Sequence, residues 1–150
     1  MTAVGQPVTG QDINMAARAT RKALDVLLAE QGTSFPPLAL LNTLASRGGV
    51  LDRSALIAQL ARGLDVSTDT LLTVLHGLET RGLVRESSSG SAQVQLTPEG
   101  QAEHRRLTAI IGALTAALYA GFGADELAVT RRVLVTLTER ADAQVAATIG

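Results

Sequence analysis

Apolar positions recur at helical spacing through most of this chain. From Asp12 to Gln31 the run Ile13, Ala16, Ala17, Thr20, Leu24, Leu27 and Leu28 predicts a first helix, which Gly32 ends. Pro36-Pro37 open a shorter second helix carrying Leu38, Leu41, Leu44 and Ala45, closed by Gly48-Gly49. Asp52 is a good N-cap for a third helix through Leu56, Ile57, Leu60 and Ala61, with a stop expected at Gly63.

After a tight turn, Ser67 caps a fourth helix whose apolar face is Leu71, Val74, Leu75 and Leu78. Val66 and Leu71 flank the cap as a hydrophobic staple, and Gly82 ends the helix. Leu83-Val84-Arg85 and Gln93-Val94-Gln95-Leu96 read as two short strands joined by the polar Ser87–Ser91 tip. Thr97-Pro98-Glu99 then starts a long helix: a capping hydroxyl, proline at the first helical position and an acid in the first turn. That helix runs towards Gly121-Phe122-Gly123. Asp125-Glu126 begin a last one through Leu127, Leu134, Leu137 and Ala141. The fold class is therefore mainly α with a small β-hairpin.

Composition narrows the chemistry. Phe35, Tyr119 and Phe122 are the only aromatics among 150 residues, so Leu, Val, Ile and Ala must fill the core. There is no cysteine, which excludes disulfides, thiol switches and thiolate metal sites. No run of about 18 apolar residues exists to cross a membrane, and Met1 to Gly10 lacks a signal-peptide pattern, so a cytoplasmic location without membrane contact is expected. His76 and His104 fall on different helices with no carboxylate cluster in sequence, so no metal is expected. No nucleophile elbow, nucleotide loop or paired carboxylates stand in a catalytic setting, and neither an enzyme nor a cofactor is expected.

Leu56 to Gly82 is a helix, a tight turn and a second helix, followed at once by a hairpin. In a helix-turn-helix of this kind the second helix can lie in a major groove while the hairpin reaches the neighbouring backbone. The residues off its apolar face, Thr68, Asp69, Thr70, Thr73 and His76, then form either a groove-facing surface or an ordinary solvated helix face. Between Arg47 and Thr97 five basic residues (Arg47, Arg53, Arg62, Arg81, Arg85) meet five acidic ones (Asp52, Asp65, Asp69, Glu79, Glu86), so this region is electrically neutral.

Taken in order, Leu60-Ala61, Leu64-Asp65-Val66-Ser67-Thr68-Asp69-Thr70, Leu78-Glu79-Thr80-Arg81-Gly82-Leu83-Val84 and Leu96-Thr97-Pro98-Glu99-Gly100 resemble the multiple-antibiotic-resistance regulator (MarR) family of winged-helix proteins. The resemblance covers nearly the whole chain. It departs from the family at Thr73, where an arginine is usual, and at Ser88 and Gly90, where the wing usually carries an Asp-x-Arg element.

The resemblance implies a winged helix-turn-helix with N- and C-terminal dimerisation helices: a lobe at 36–97, and dimerisation helices at 9–35 and 98–150. It implies a homodimer binding pseudo-palindromic, double-stranded operator DNA, a repressor, responsive to a small phenolic or lipophilic effector. The DNA-contacting residues expected on that basis are Ser67, Thr68, Thr70, Thr73, His76, Arg53 and Arg85, with Ser88, Ser89 and Gly90 in the wing. Leu24, Leu28, Leu114, Leu118, Leu134 and Leu137 are expected at the dimer interface, because the terminal helices carry more apolar surface than one small winged helix needs. Tyr119 and Phe122 either line an effector cavity or simply pack. The alternative is a winged-helix dimer without autonomous DNA binding, acting as a protein-interaction or ligand-binding module.

Overall fold

The computed structural model describes residues 5–87 and 92–150. Ser88, Ser89 and Gly90, expected in the wing, lie outside the described residues. The chain divides into two compact units, Met1–Leu114 and Thr115–Gly150.

In the first unit the order is α1 (Gly10–Glu30), α2 (Phe35–Ser46), β1 (Val50–Asp52), α3 (Arg53–Leu64), α4 (Thr68–Thr80), β2 (Val84–Glu86), β3 (Gln93–Leu96) and most of α5 (Pro98–Tyr119). Local chemistry sets the ends of α1. The Thr9 hydroxyl accepts from the Asp12 amide while the Asp12 carboxylate accepts from the Thr9 amide at 2.8 Å. Those bonds from Thr9, the backbone one foremost, hold the Asp12 carboxyl below the usual carboxylate range. Gly32, at φ +73°, takes the left-handed turn that ends the helix.

Two expectations need correction. Helix α3 runs through Gly63 to Leu64 and stops at Asp65, whose φ of 52° is left-handed; a short polar side chain tolerates that region. The hairpin is also joined by a third strand. β1 pairs antiparallel with β3 (Val50↔Gln95, Leu51↔Val94), giving the order β1-β3-β2. β1 has three residues, and its last, Asp52, is also the N-cap of α3, accepting from the Ala55 amide at 3.0 Å. Two apolar residues are too few to show strand alternation in the sequence.

The main core joins α2, α3, α4 and the sheet through Leu40, Leu41, Leu44, Leu56, Leu60, Leu71, Leu75, Leu78, Val84 and Val94. A second cluster packs Leu28 of α1 with Leu38 of α2 and Leu107 of α5, with Leu24, Phe35 and Ile111 around it. Leu28 therefore does not fit the dimer interface expected for it: it is wholly buried inside its own chain. Arg21 stacks over the Phe35 ring at 3.8 Å from its centroid, so this aromatic is capped by a cation. Arg106 of α5 grips Glu103 through two bonds of 2.9 and 2.8 Å and donates a third to Gln31 at 2.7 Å. The hydrogen bonds from Arg106 hold the Glu103 carboxyl below its usual range, so this link is fully present above that range and is lost only as pH falls below it, through the lowered value.

Thr97 locks the sheet to α5. Its hydroxyl donates to the Gly82 carbonyl at 2.6 Å and accepts from the Gly100 amide at 3.0 Å, and the residue is buried. Thr97→Val should cost about 2 kcal/mol, because it leaves a buried amide and a carbonyl without their partner. Chemical denaturation reads this directly, and an unchanged midpoint would contradict it.

The second unit holds the end of α5, a turn in which Gly121 takes φ +90°, and α6 (Ala124–Ile149). The Glu126 carboxylate accepts from the Gly123 amide at 3.0 Å and fixes the start of α6. None of the 26 residues of α6 is buried, and Val129, Val133, Leu134, Val135, Leu137 and Val145 lie exposed along it. Among the described residues, no single helix is long and apolar enough to cross a membrane.

Candidate nucleic-acid interface

The turn Asp65-Val66-Ser67 delivers α4 with one face in the core and the other in solvent. Ser67 accepts from the Thr70 amide at 3.1 Å, while Val66 packs against the core cluster that contains Leu71, as the staple requires. Leu71, Leu75 and Leu78 are fully or almost fully buried. Thr68, Asp69, Thr70, Leu72, Thr73, His76, Gly77 and Thr80 are exposed. The structure thus brings Ser67, Thr68, Thr70, Thr73 and His76 onto the outer side of one rigid helix. At the far end Gly82, at φ +74°, turns the chain into β2, and the Leu83 amide donates back to the Leu78 carbonyl at 3.0 Å.

The sheet presents the wing beside this helix. Arg85 is exposed on β2, opposite Gln95 of β3. The Ser87 amide donates to the Gln93 carbonyl at 2.9 Å and extends the pairing towards the tip.

Arg53 behaves differently from the other candidates. Its guanidinium donates to Glu79 of α4 at 3.3 Å and lies 3.9 Å from Glu86 of β2. One cation at the start of α3 therefore ties the last turn of α4 to the first wing strand, and its charge is balanced within the chain. Neither carboxylate stands near Arg53 in sequence, so only the fold reveals the pairing. The group is part-exposed, so Arg53→Ala should cost only about 1 kcal/mol or less by denaturation.

Leu72 was not singled out in the sequence. It lies off the Leu71-Leu75-Leu78 stripe, and helical period alone places it at the solvent boundary. It is 37% exposed and borders a notch of about 310 Å³ with Arg53, Ser54, Ile57, Ala58 and Thr68.

The residues expected elsewhere are spread over both units. Leu24 and Leu114 are half-buried, while Leu118, Leu134 and Leu137 are exposed. Tyr119 and Phe122 are exposed on either side of the turn that follows α5. Among the described residues no group of three or more His, Asp or Glu side chains is placed to hold a metal ion.

No protein-family model matches the sequence. Nor does any curated protein match it. Solved structures do. A Mycobacterium tuberculosis MarR family protein, Rv2887, in complex with DNA shares 26% identity at a TM-score of 0.70, covering 88% of this chain and 98% of that one. The same protein in complex with p-aminosalicylic acid gives 27% identity and a TM-score of 0.68, covering 88% and 99%. The transcriptional regulator PA3341 gives 26% identity and a TM-score of 0.72, covering 89% and 97%. With its helix-turn-helix, three-stranded wing sheet and flanking helices matched along most of its length, the chain is a winged-helix protein similar in fold to these MarR-family regulators.

Proposed function

We propose that this protein is a dimeric, ligand-responsive transcription regulator, a repressor that binds pseudo-palindromic double-stranded DNA. The observation that carries the reading is the polar outer face of α4, where Thr68, Thr73 and His76 stand exposed on a helix whose opposite face is locked into the core. The neighbour in complex with DNA supports it. In this arrangement α4 enters the major groove, the amide ends at Ser67 and Thr68 approach the backbone, and Arg85 on the first wing strand reaches the adjoining phosphates. The exposed apolar residues of α6, together with Leu118, are covered by a second copy.

The protein so described is not an enzyme, and it works in the cytoplasm. Its effector is a small phenolic or aromatic-acid molecule, a class supported by the neighbour in complex with p-aminosalicylic acid. Such a molecule acts by preferring one of two dimer geometries, with Tyr119 and Phe122 offering aromatic surface to it.

A second reading is favoured by one observation: the region between Arg47 and Thr97 is neutral, and Arg53 is already paired with Glu79. A module that binds another protein has no need of surplus cations. Gel shift of the full chain against a randomised duplex library, at low and moderate salt, separates the two. Retention and enrichment of a sequence supports the regulator, and no retention even at low salt supports the module. Thr73→Arg adds one cation per protomer on the outer face. It should steepen the slope of log K against log salt by about two units for a dimer. An unchanged slope would show that Thr73 does not approach the backbone.

A further inference from the structure

The hydroxyls on the outer face of α4 are largely committed to the chain itself. Thr73 donates to the Asp69 carbonyl at 3.1 Å and Thr80 to the His76 carbonyl at 2.9 Å. Ser67 and Thr70 share a hydrogen bond of 2.8 Å, and Ser67 also accepts the Thr70 amide. With the Thr73 and Thr80 protons and one of the Ser67–Thr70 pair used, much of what this face offers a base edge is methyl groups and oxygen lone pairs. It carries no Arg, Asn or Gln between Thr68 and Thr80, the residues that form bidentate pairs with guanine or adenine.

Leu72 completes the pattern. Among the described residues of α4 it is the one large apolar side chain left in solvent. It forms one wall of the notch whose opposite wall is Ile57 and Ala58 of α3, with Thr68 beside it. Exposed leucine on a helix offered to water gains nothing there, whereas apolar contact is how thymine is told from cytosine in the major groove: thymine alone carries a methyl on its 5-position.

We infer that Leu72 is a specificity-determining residue, reading thymine by burying its 5-methyl group in the notch between α3 and α4, with the Thr68 methyl extending the same contact. This rests on the DNA-binding reading above. The notch opens between the helix that crosses the backbone and the helix that enters the groove, so a base edge there meets the apolar walls of Leu72, Ile57 and Ala58, with Arg53, Ser54 and Thr68 as its polar neighbours. The resulting preference is for A·T pairs read from the thymine side, and it needs no excess of positive charge.

The test uses the full chain and a duplex selected by it from the randomised library, with each thymine replaced in turn by deoxyuridine. That change removes one methyl and leaves the hydrogen-bonding edge intact. At the position Leu72 reads, the wild type should lose about fourfold in affinity per half-site, or about fifteenfold when both are replaced. Leu72→Ala should lose most of that discrimination and bind thymine and deoxyuridine duplexes alike, while Leu72→Met should keep it. Leu72 is outside the core, so circular dichroism should show the same fold in all three. Indifference of the wild type to deoxyuridine at every position overturns the inference while leaving DNA binding intact. Unchanged sensitivity in Leu72→Ala overturns it too. Failure of any duplex to be retained removes the DNA reading, and this one with it.

Discussion

Gly100→Ala should destabilise the protein by about 3 kcal/mol or more, the largest stability effect expected of any single methyl added to this chain. Gly100 is buried in the first turn of α5. A Cβ built there runs into the carbonyl oxygen of Leu83 and comes 2.8 Å from Cδ1 of Leu96. A side chain could turn away, but the Leu83 carbonyl cannot, because it accepts the Thr97 amide at 3.1 Å and sits just before β2. The helix would have to lift off the sheet, breaking the Thr97 bonds to Gly82 and Gly100 with it. A fall in Tm of about 10 °C is expected for a domain of this size. Gly112→Ala, on the same helix with open space around its Cβ, is the control and should be neutral or mildly stabilising. A Gly100→Ala protein as stable as the wild type would contradict the close packing of α5 on the sheet.

Charging the exposed apolar face of α6 should have the largest effect on assembly. Leu134 and Leu137 are 42% and 40% exposed in the single chain, so Leu134→Glu costs an isolated protomer little. In a dimer that covers this face the same change buries an unpaired carboxylate in each protomer, at several kcal/mol apiece. The dissociation constant should therefore rise by a factor of 100 or more, and sedimentation at micromolar concentration should turn from dimer to monomer. Circular dichroism should still report helix. A Leu134→Glu protein that sediments like the wild type would place the partner surface elsewhere.

The elements that were legible in the sequence are those whose signals are local. Ser67 before Thr70, Asp52 before Ala55 and Thr97 before Gly100 are caps that three adjacent residues specify, and each holds in the fold. The α4 stripe of Leu71, Leu75 and Leu78 follows from helical period alone. What stayed hidden depends on residues distant in the chain. β1 exists because Val50 and Leu51 find Gln95 and Val94, more than forty positions away. Arg53 is paired because the fold brings Glu79 and Glu86 to it. Leu28 looked like one more member of an exposed stripe until Leu38 and Leu107 closed over it. Leu72 was readable in principle, since the helical period sets it apart from the buried positions. Its significance came only when α3 supplied the other wall of the notch.

In the proposed function two copies of this chain, each through α4, read one duplex. Sedimentation of a fluorescent duplex carrying the selected sequence, titrated with protein, reads that stoichiometry. The predicted result is a single complex of two 15.5 kDa protomers per duplex, which weakens sharply when one half-site is scrambled and dissociates as salt is raised. A duplex that sediments as free DNA at low salt, or one that binds a single protomer with full affinity, would contradict it.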